Sequence, residues 1–263
     1  MYQLLRYGVA LSVALFALSA NADLQQELDN LAPGSSFQLP PETLSPLVIR
    51  VPGVSMSCAP ETVIDGGGQG NAVEILAEAI TFSGCQVRNW GKDLNELDAG
   101  IFVAREAQGS VVENNRLQGP AFGVWLDATP DVTVRENHIR GDTSLRSQDR
   151  GNGIHLFNTT GALIEGNDIS ETRDAIYIET ANRNTIRGNV MSDLRYGIHY
   201  MYSMHNLLEN NVTRGTRTGY ALMQSKYLKV FNNRSENDEN YGILMNFITN
   251  SELRNNVVTG VSQ

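Results

Sequence analysis

His199, Met201 and Met223 combine an imidazole with two thioethers, donor types that select Cu(I) over harder ions. Met204 and His205 follow closely, so these five are the candidate copper contacts, for transient rather than resident metal. Trp125, His155, Phe157, Tyr177 and Glu179 form a second group of rings with one carboxylate. Rings and carboxylates suit docking of a partner, and they also suit sugars. Hydrolysis of a glycan needs two carboxylates about 5–9.5 Å apart. Asp127 and Glu179 offer such a pair only at its edge, roughly 9.6 Å apart if they lie two strands from one another. No catalytic residue is therefore assigned.

These residues are positioned by a repeat. A small residue recurs as Gly100, Gly123, Gly153, Ala175, Gly197, Gly219 and Gly242, and an Asn follows each as Asn115, Asn137, Asn167, Asn189, Asn211, Asn233 and Asn256. The gap within a unit is 14 residues in every unit but the first, and most steps from Asn to Asn are 22. A fixed period of this length marks a solenoid. After each small residue the apolar side chains alternate, as in Ile154 and Leu156 or Ile176 and Ile178, which is strand periodicity with those positions inward. The predicted fold is an all-β parallel β-helix with about 22 residues per turn. The Asn column is read as a ladder of stacked amides. Positions two and four after the small residue then face outward, which puts the rings, imidazoles and thioethers on one wall. Such a patch on an exposed sheet marks a binding surface, unless a loop covers it.

Residues 1–22 read as a signal peptide: Arg6, an apolar run from Gly8 to Ala20, and Ala20-Asn21-Ala22 before a cleavage point. Residues 23–60 are assigned to an N-terminal cap and irregular strands, punctuated by prolines, and residues 61–263 to the β-helix. Two steps on the ladder are 30 residues, from Cys85 to Asn115 and from Asn137 to Asn167. The extra lengths, 91–98 and about 141–150, are polar and should loop out on one face, often the binding face. Cys58 and Cys85 fall about one early turn apart, so a disulfide is expected in an exported chain; two buried thiols or a soft-metal pair is the alternative. A formal net charge of −9 argues against polyanions such as nucleic acid. The array stops after Asn256 without a polar cap, so a truncated or covered end is expected.

The run Arg195-Tyr196-Gly197-Ile198-His199-Tyr200-Met201-Tyr202-Ser203 resembles the NosD family, periplasmic accessory proteins of nitrous oxide reductase maturation. The segments around Gly153-Ile154-His155, Arg173-Asp174-Ala175 and Gly219-Tyr220-Ala221 add to the likeness. The resemblance implies a right-handed β-helix without catalytic activity, seated on an ABC transporter and touching the membrane only through it. It also implies a role in supplying copper to nitrous oxide reductase, in contact with a copper-chaperone lipoprotein. Arg173, Asp174, Arg195 and Tyr196 precede the small residue of their turns, where they are expected to fix corners by side-chain hydrogen bonds. The competing reading is a carbohydrate-binding or polysaccharide-degrading β-helix.

Overall fold

Alternating apolar residues on a 22-residue period can bury their inward side chains only against the next copy, and the chain stacks accordingly. The computed structural model describes residues 23–262; the expected signal peptide lies outside the described residues. About ten coils follow one another, each contributing a short strand to three parallel sheets of ten, ten and nine strands. Within each sheet a strand pairs with those of the preceding and following coils. In the third sheet Val124, Ile154, Ile176, Ile198, Tyr220 and Ile243 are successive register partners. The first five are fully buried, and each such side chain contributes roughly 1.5–3 kcal/mol relative to exposure.

The Asn column is the second source of cohesion. Asn167 Nδ2 donates to Asn189 Oδ1 at 2.9 Å and Asn189 Nδ2 to Asn211 Oδ1 at 2.9 Å, and each Oδ1 also accepts the backbone N–H of the preceding ladder residue. A left-handed residue turns the chain just before each Asn: Asn114, Glu136, Gly166, Gly188, Asn210, Asn232 and Asn255 all have positive φ. Gly and Asn tolerate that conformation best, which accounts for the recurrent Gly-Asn and Asn-Asn pairs. At its N-terminal end the ladder reaches Cys85, whose N–H donates to Asn115 Oδ1 at 3.0 Å. Cys85 is joined to Cys58 of the preceding coil by a disulfide.

The small-residue column reflects crowding between coils. A Cβ on Gly197 would lie 2.3 Å from Thr213 Cγ2 and 2.6 Å from the carbonyl oxygen of Gly219.

The boundary expected at residue 61 is displaced toward the N-terminus. Ser36–Leu39 pairs with Ser55–Cys58, so Phe37, Met56 and Phe82 stack in register and the coil begins at Ser36. Prolines and the lack of ladder asparagines before Cys85 hide these early coils in the sequence. Ahead of them residues 23–29 are helical; Leu28 is buried on the core. Gln25 exchanges side-chain hydrogen bonds with the N–H and C=O of Val48 at 3.0 and 2.8 Å. These contacts cover part of the first coil and blunt a sheet edge open to pairing.

Candidate functional site

The outward positions of the third sheet form one column in register: Phe102, Trp125, His155, Tyr177, His199, Ala221 and Leu244. Strands in a sheet lie about 4.8 Å apart, so rings at successive coils are held at stacking distance. The ring centroids of Trp125 and His155 are 4.1 Å apart, those of His155 and Tyr177 4.6 Å, and those of Tyr177 and His199 4.5 Å. The sequence therefore identified the wall on which these side chains meet.

It did not identify their exposure. Trp125 and His155 are each only 5% exposed and Ala221 is buried, while Phe157, Tyr177 and Glu179 are half-buried. Both long turns cover this wall. Leu94 and Leu97 come from the first insertion, and Leu94 packs with Phe122 and Trp125. Arg150 ends the second, its guanidinium bonded to the carbonyls of Leu145 and Glu171. Between them lies a cleft of about 320 Å³ lined by Trp125, Asn152, His155, Arg173, Asp174, Tyr177 and His199 among others.

A buried cluster of Asp174, Arg195 and His199 forms part of the cleft's lining. Asp174 is 1% exposed and accepts a two-pronged contact from Arg195, at 2.8 and 2.6 Å, with His199 Nδ1 3.0 Å from its second oxygen. Burial alone would raise the Asp174 carboxyl, but the bonds from His199 and Arg195 outweigh it and hold the group below the usual carboxylate range. An ionised carboxylate only accepts, which puts the shared proton on His199 Nδ1. Of the residues expected to fix corners by side-chain hydrogen bonds, Asp174 and Arg195 make them to one another across two coils, while Arg173 does not. Arg195 serves Asp174 and lies 4.6 Å over the Tyr196 ring, and Arg173 Nε is buried without a partner among the described residues.

His155 sits at the centre. Burial depresses its pKa, opposed by Glu179. Its Nε2 is 3.4 Å from a Glu179 oxygen, an electrostatic contact rather than an aligned hydrogen bond, since Nε2 has no bonded partner. That close approach of the Nε2–H holds Glu179 below the ordinary carboxylate value, against the burial that would raise it. Tyr177 is pushed up to about 12, first by burial and then by Glu179 and Asp174. The cleft thus presents a phenol that keeps its proton and a neutral imidazole.

The candidate copper contacts are only partly brought together. Met201 and Met223 are register partners on adjacent coils, whereas His199 pairs with Ala221 and turns to Asp174. Met204 lies around the corner, 38% exposed. His205 stacks on Tyr227 with centroids 4.7 Å apart. Among the described residues no group of three or more His, Cys, Asp or Glu is placed to hold a metal ion. Asp127 and Glu179 stand two coils apart with Phe157 between them in register.

The cleft residues that sequence reasoning missed are Arg150, Asn152 and the pairing of Asp174 with Arg195. One signal was available: Arg173, Arg195 and Arg217 recur at the coil period, two residues before the small residue.

Fold and site together define a parallel β-helix repeat protein with a ligand-sized cleft on one outer wall. Residues 135–263 match the family described as periplasmic copper-binding protein (NosD). Over 206 residues the chain is 59% identical to a Pseudomonas aeruginosa protein named probable ABC transporter binding protein NosD, covering 78% of this chain and 48% of that one. A Stutzerimonas stutzeri protein of the same name is 45% identical over 263 residues, covering 98% of this chain and 60% of that protein. The chain belongs to the NosD family, as its Arg195–Ser203 motif indicated, and spans about half to three-fifths of the length of these curated relatives. Among solved structures, polygalacturonase from Erwinia carotovora superposes with a TM-score of 0.71 at 13% identity, covering 92% of this chain and 91% of that one. That likeness shows the fold alone. No helix among the described residues is long and apolar enough to cross a membrane.

Proposed function

We propose that this chain is a non-catalytic periplasmic docking module that works with an ABC transporter in supplying the copper centres of nitrous oxide reductase. A copper-chaperone lipoprotein and the reductase are its transient partners. The observation that carries the reading is the corner following the third sheet, where Tyr202 is 53%, Met204 38% and Tyr227 45% exposed. Tyr202, His205 and Tyr227 all have positive φ. The equivalent corner residues Thr180, Arg183 and Gln224 share that backbone, so what sets this corner apart is the ring and thioether surface it shows. Exposed aromatic and thioether side chains in one patch suit a partner surface. The relatives' name and the family's description agree with that role.

Copper enters as cargo. Thioethers of Met201 and Met223 lie on neighbouring coils, with Met204 and His205 at the adjoining corner, and such donors suit Cu(I). His199 supports the wall through Asp174 rather than offering Nδ1 to metal. The sugar-degrading alternative is weakened because Phe157 stands between Asp127 and Glu179 in register.

Two variants test the reading. Replacing Met201, Met204 and Met223 together by Leu keeps volume and removes sulfur; it should weaken Cu(I) retention in anaerobic competition with a chromophoric chelator. Tyr202→Asp with Tyr227→Asp should abolish co-purification with the transporter or lipoprotein. Wild-type behaviour of both variants, or turnover of any polysaccharide by the native chain, overturns it.

A further inference from the structure

The cleft on the third sheet has features the docking role does not use. Among the described residues, seven buried side-chain atoms lack a hydrogen-bond partner, and four belong to residues that line this one cleft: Trp125 Nε1, Asn152 Oδ1, Arg173 Nε and His155 Nε2, the last standing 3.4 Å from a Glu179 oxygen. Each such atom costs about 1–3 kcal/mol if left unmatched, so their convergence on one cavity calls for a ligand that bonds them. They differ in sign. Trp125 Nε1 and Arg173 Nε can only donate. Asn152 Nδ2 lies 3.3 Å from His155 Nδ1; with the amide donating there, the imidazole proton sits on Nε2 and makes that atom a third donor.

Charge points the same way. Three guanidiniums, from Arg150, Arg173 and Arg195, line the cleft against the carboxylate of Asp174, with that of Glu179 set 3.4 Å from His155 Nε2, in a chain whose formal net charge is −9. Arg195 is matched by Asp174. Arg150 is held by carbonyls that do not cancel its charge, and Arg173 Nε bonds nothing. The remaining walls are apolar, from Leu94, Leu97, Phe122 and the Tyr177 ring. A bare inorganic oxyanion would leave those walls against water. An anion carried on an apolar body satisfies both halves of the site.

We propose that this cleft binds a small carboxylate with an aromatic or apolar body. The carboxylate oxygens accept from Arg173 Nε and Trp125 Nε1, and the body packs against Phe122, Leu94 and Leu97. Asn152 Oδ1 is left to accept from a hydroxyl or amide of the ligand. The carboxylate can belong to a free small molecule or to the C-terminus of a polypeptide, and the chemistry at the arginine is the same.

Isothermal calorimetry on the mature chain at fixed ionic strength distinguishes these sources. Benzoate and phenylacetate represent free acids, N-acetylphenylalanine represents a chain terminus, and benzamide and N-acetylphenylalanine amide are neutral controls. At least one acid should saturate the cleft while its amide does not. The class that binds more tightly identifies the source. Arg173→Gln and Trp125→Phe should each weaken that acid about tenfold, one charge-assisted hydrogen bond or its equivalent. Arg187→Gln, which removes an exposed cation paired with Glu165 on another sheet, should leave it unchanged. Far-UV CD and thermal melts establish that each variant is folded. The proposal fails if no acid gives a saturable heat up to about 10 mM, the range of the weakest specific sites. It also fails if the amides bind as well as the acids, or if folded Arg173→Gln and Trp125→Phe both bind as the parent does.

Discussion

Truncating one ladder amide, Asn189→Ala, tests whether the asparagine column holds the coils together or merely fills a corner. Asn189 is fully buried. Its Oδ1 accepts from the N–H of Asn167 at 3.0 Å and from Asn167 Nδ2 at 2.9 Å. Its Nδ2 donates to the carbonyls of Ile164 and Arg187 and to Asn211 Oδ1 at 3.0, 3.1 and 2.9 Å. Truncation leaves the buried Asn167 N–H without an acceptor, whereas Asn167 Nδ2 keeps the carbonyl of Val134. One orphaned donor costs about 1–3 kcal/mol, and the other lost bonds, shared among few donors, add about 2–3 kcal/mol net. The expected loss is about 3–6 kcal/mol. Because a solenoid couples each coil mainly to its neighbours, the loss should appear first as local opening. Hydrogen exchange at the amides of Leu163–Glu165, Thr185–Arg187 and Leu207–Glu209 measures it, alongside urea unfolding. Asn189→Asp adds a sign test. Its carboxylate would face acceptors, so its folded-state pKa rises and the variant is less stable at pH 7 than at pH 5. An Asn189→Ala protein within about 1 kcal/mol of the parent, with unchanged protection on both flanking coils, would refute the ladder as a source of stability.

Three further outcomes are expected. Burial lowers the His155 pKa, so the unfolded chain binds the extra proton first as pH falls; stability should decline below about pH 6.5, with a slope of up to about 1.4 kcal/mol per unit. His155→Gln should flatten that slope in thermal melts between pH 7.5 and 5.5. Replacing both Cys58 and Cys85 by Ser opens a closure over 27 residues and should cost about 3–4 kcal/mol by the loop-entropy relation, read by denaturant midpoint under oxidising conditions. Gly197→Ala should destabilise by about 1–3 kcal/mol, since a methyl there meets both the next coil's backbone and Thr213, whereas Ala175→Gly should lower the midpoint by less than about 1 kcal/mol.

The coil was legible because its physics repeats. Alternation located the inward columns, and the fixed gap to each Asn located the ladder, including the place of Cys85 on it. The coils before Thr62 were not legible as such, since Phe37 and Met56 continue the inward column without any ladder residue to anchor the count. Periodicity also told which wall Trp125, His155, Tyr177 and His199 share, but it carries no information about what covers a wall. Leu94, Leu97 and Arg150 close over these rings from segments that lie outside the period. The Asp174–Arg195 pair escaped for a different reason: its partners are 21 residues apart, one short of the coil step, so the contact runs diagonally between coils and not down a column.

Both long turns reach the spine with its geometry intact. Cys85 to Asn115 and Asn137 to Asn167 each span 30 residues, yet the amide contacts at those steps measure 3.0 Å, as they do where the step is 22. Whatever length or composition such an excursion has, the chassis beneath it need not be rebuilt. Molecules of this design can therefore diverge in the guest they admit by rewriting two flaps, while the remainder of the thread is inherited unaltered.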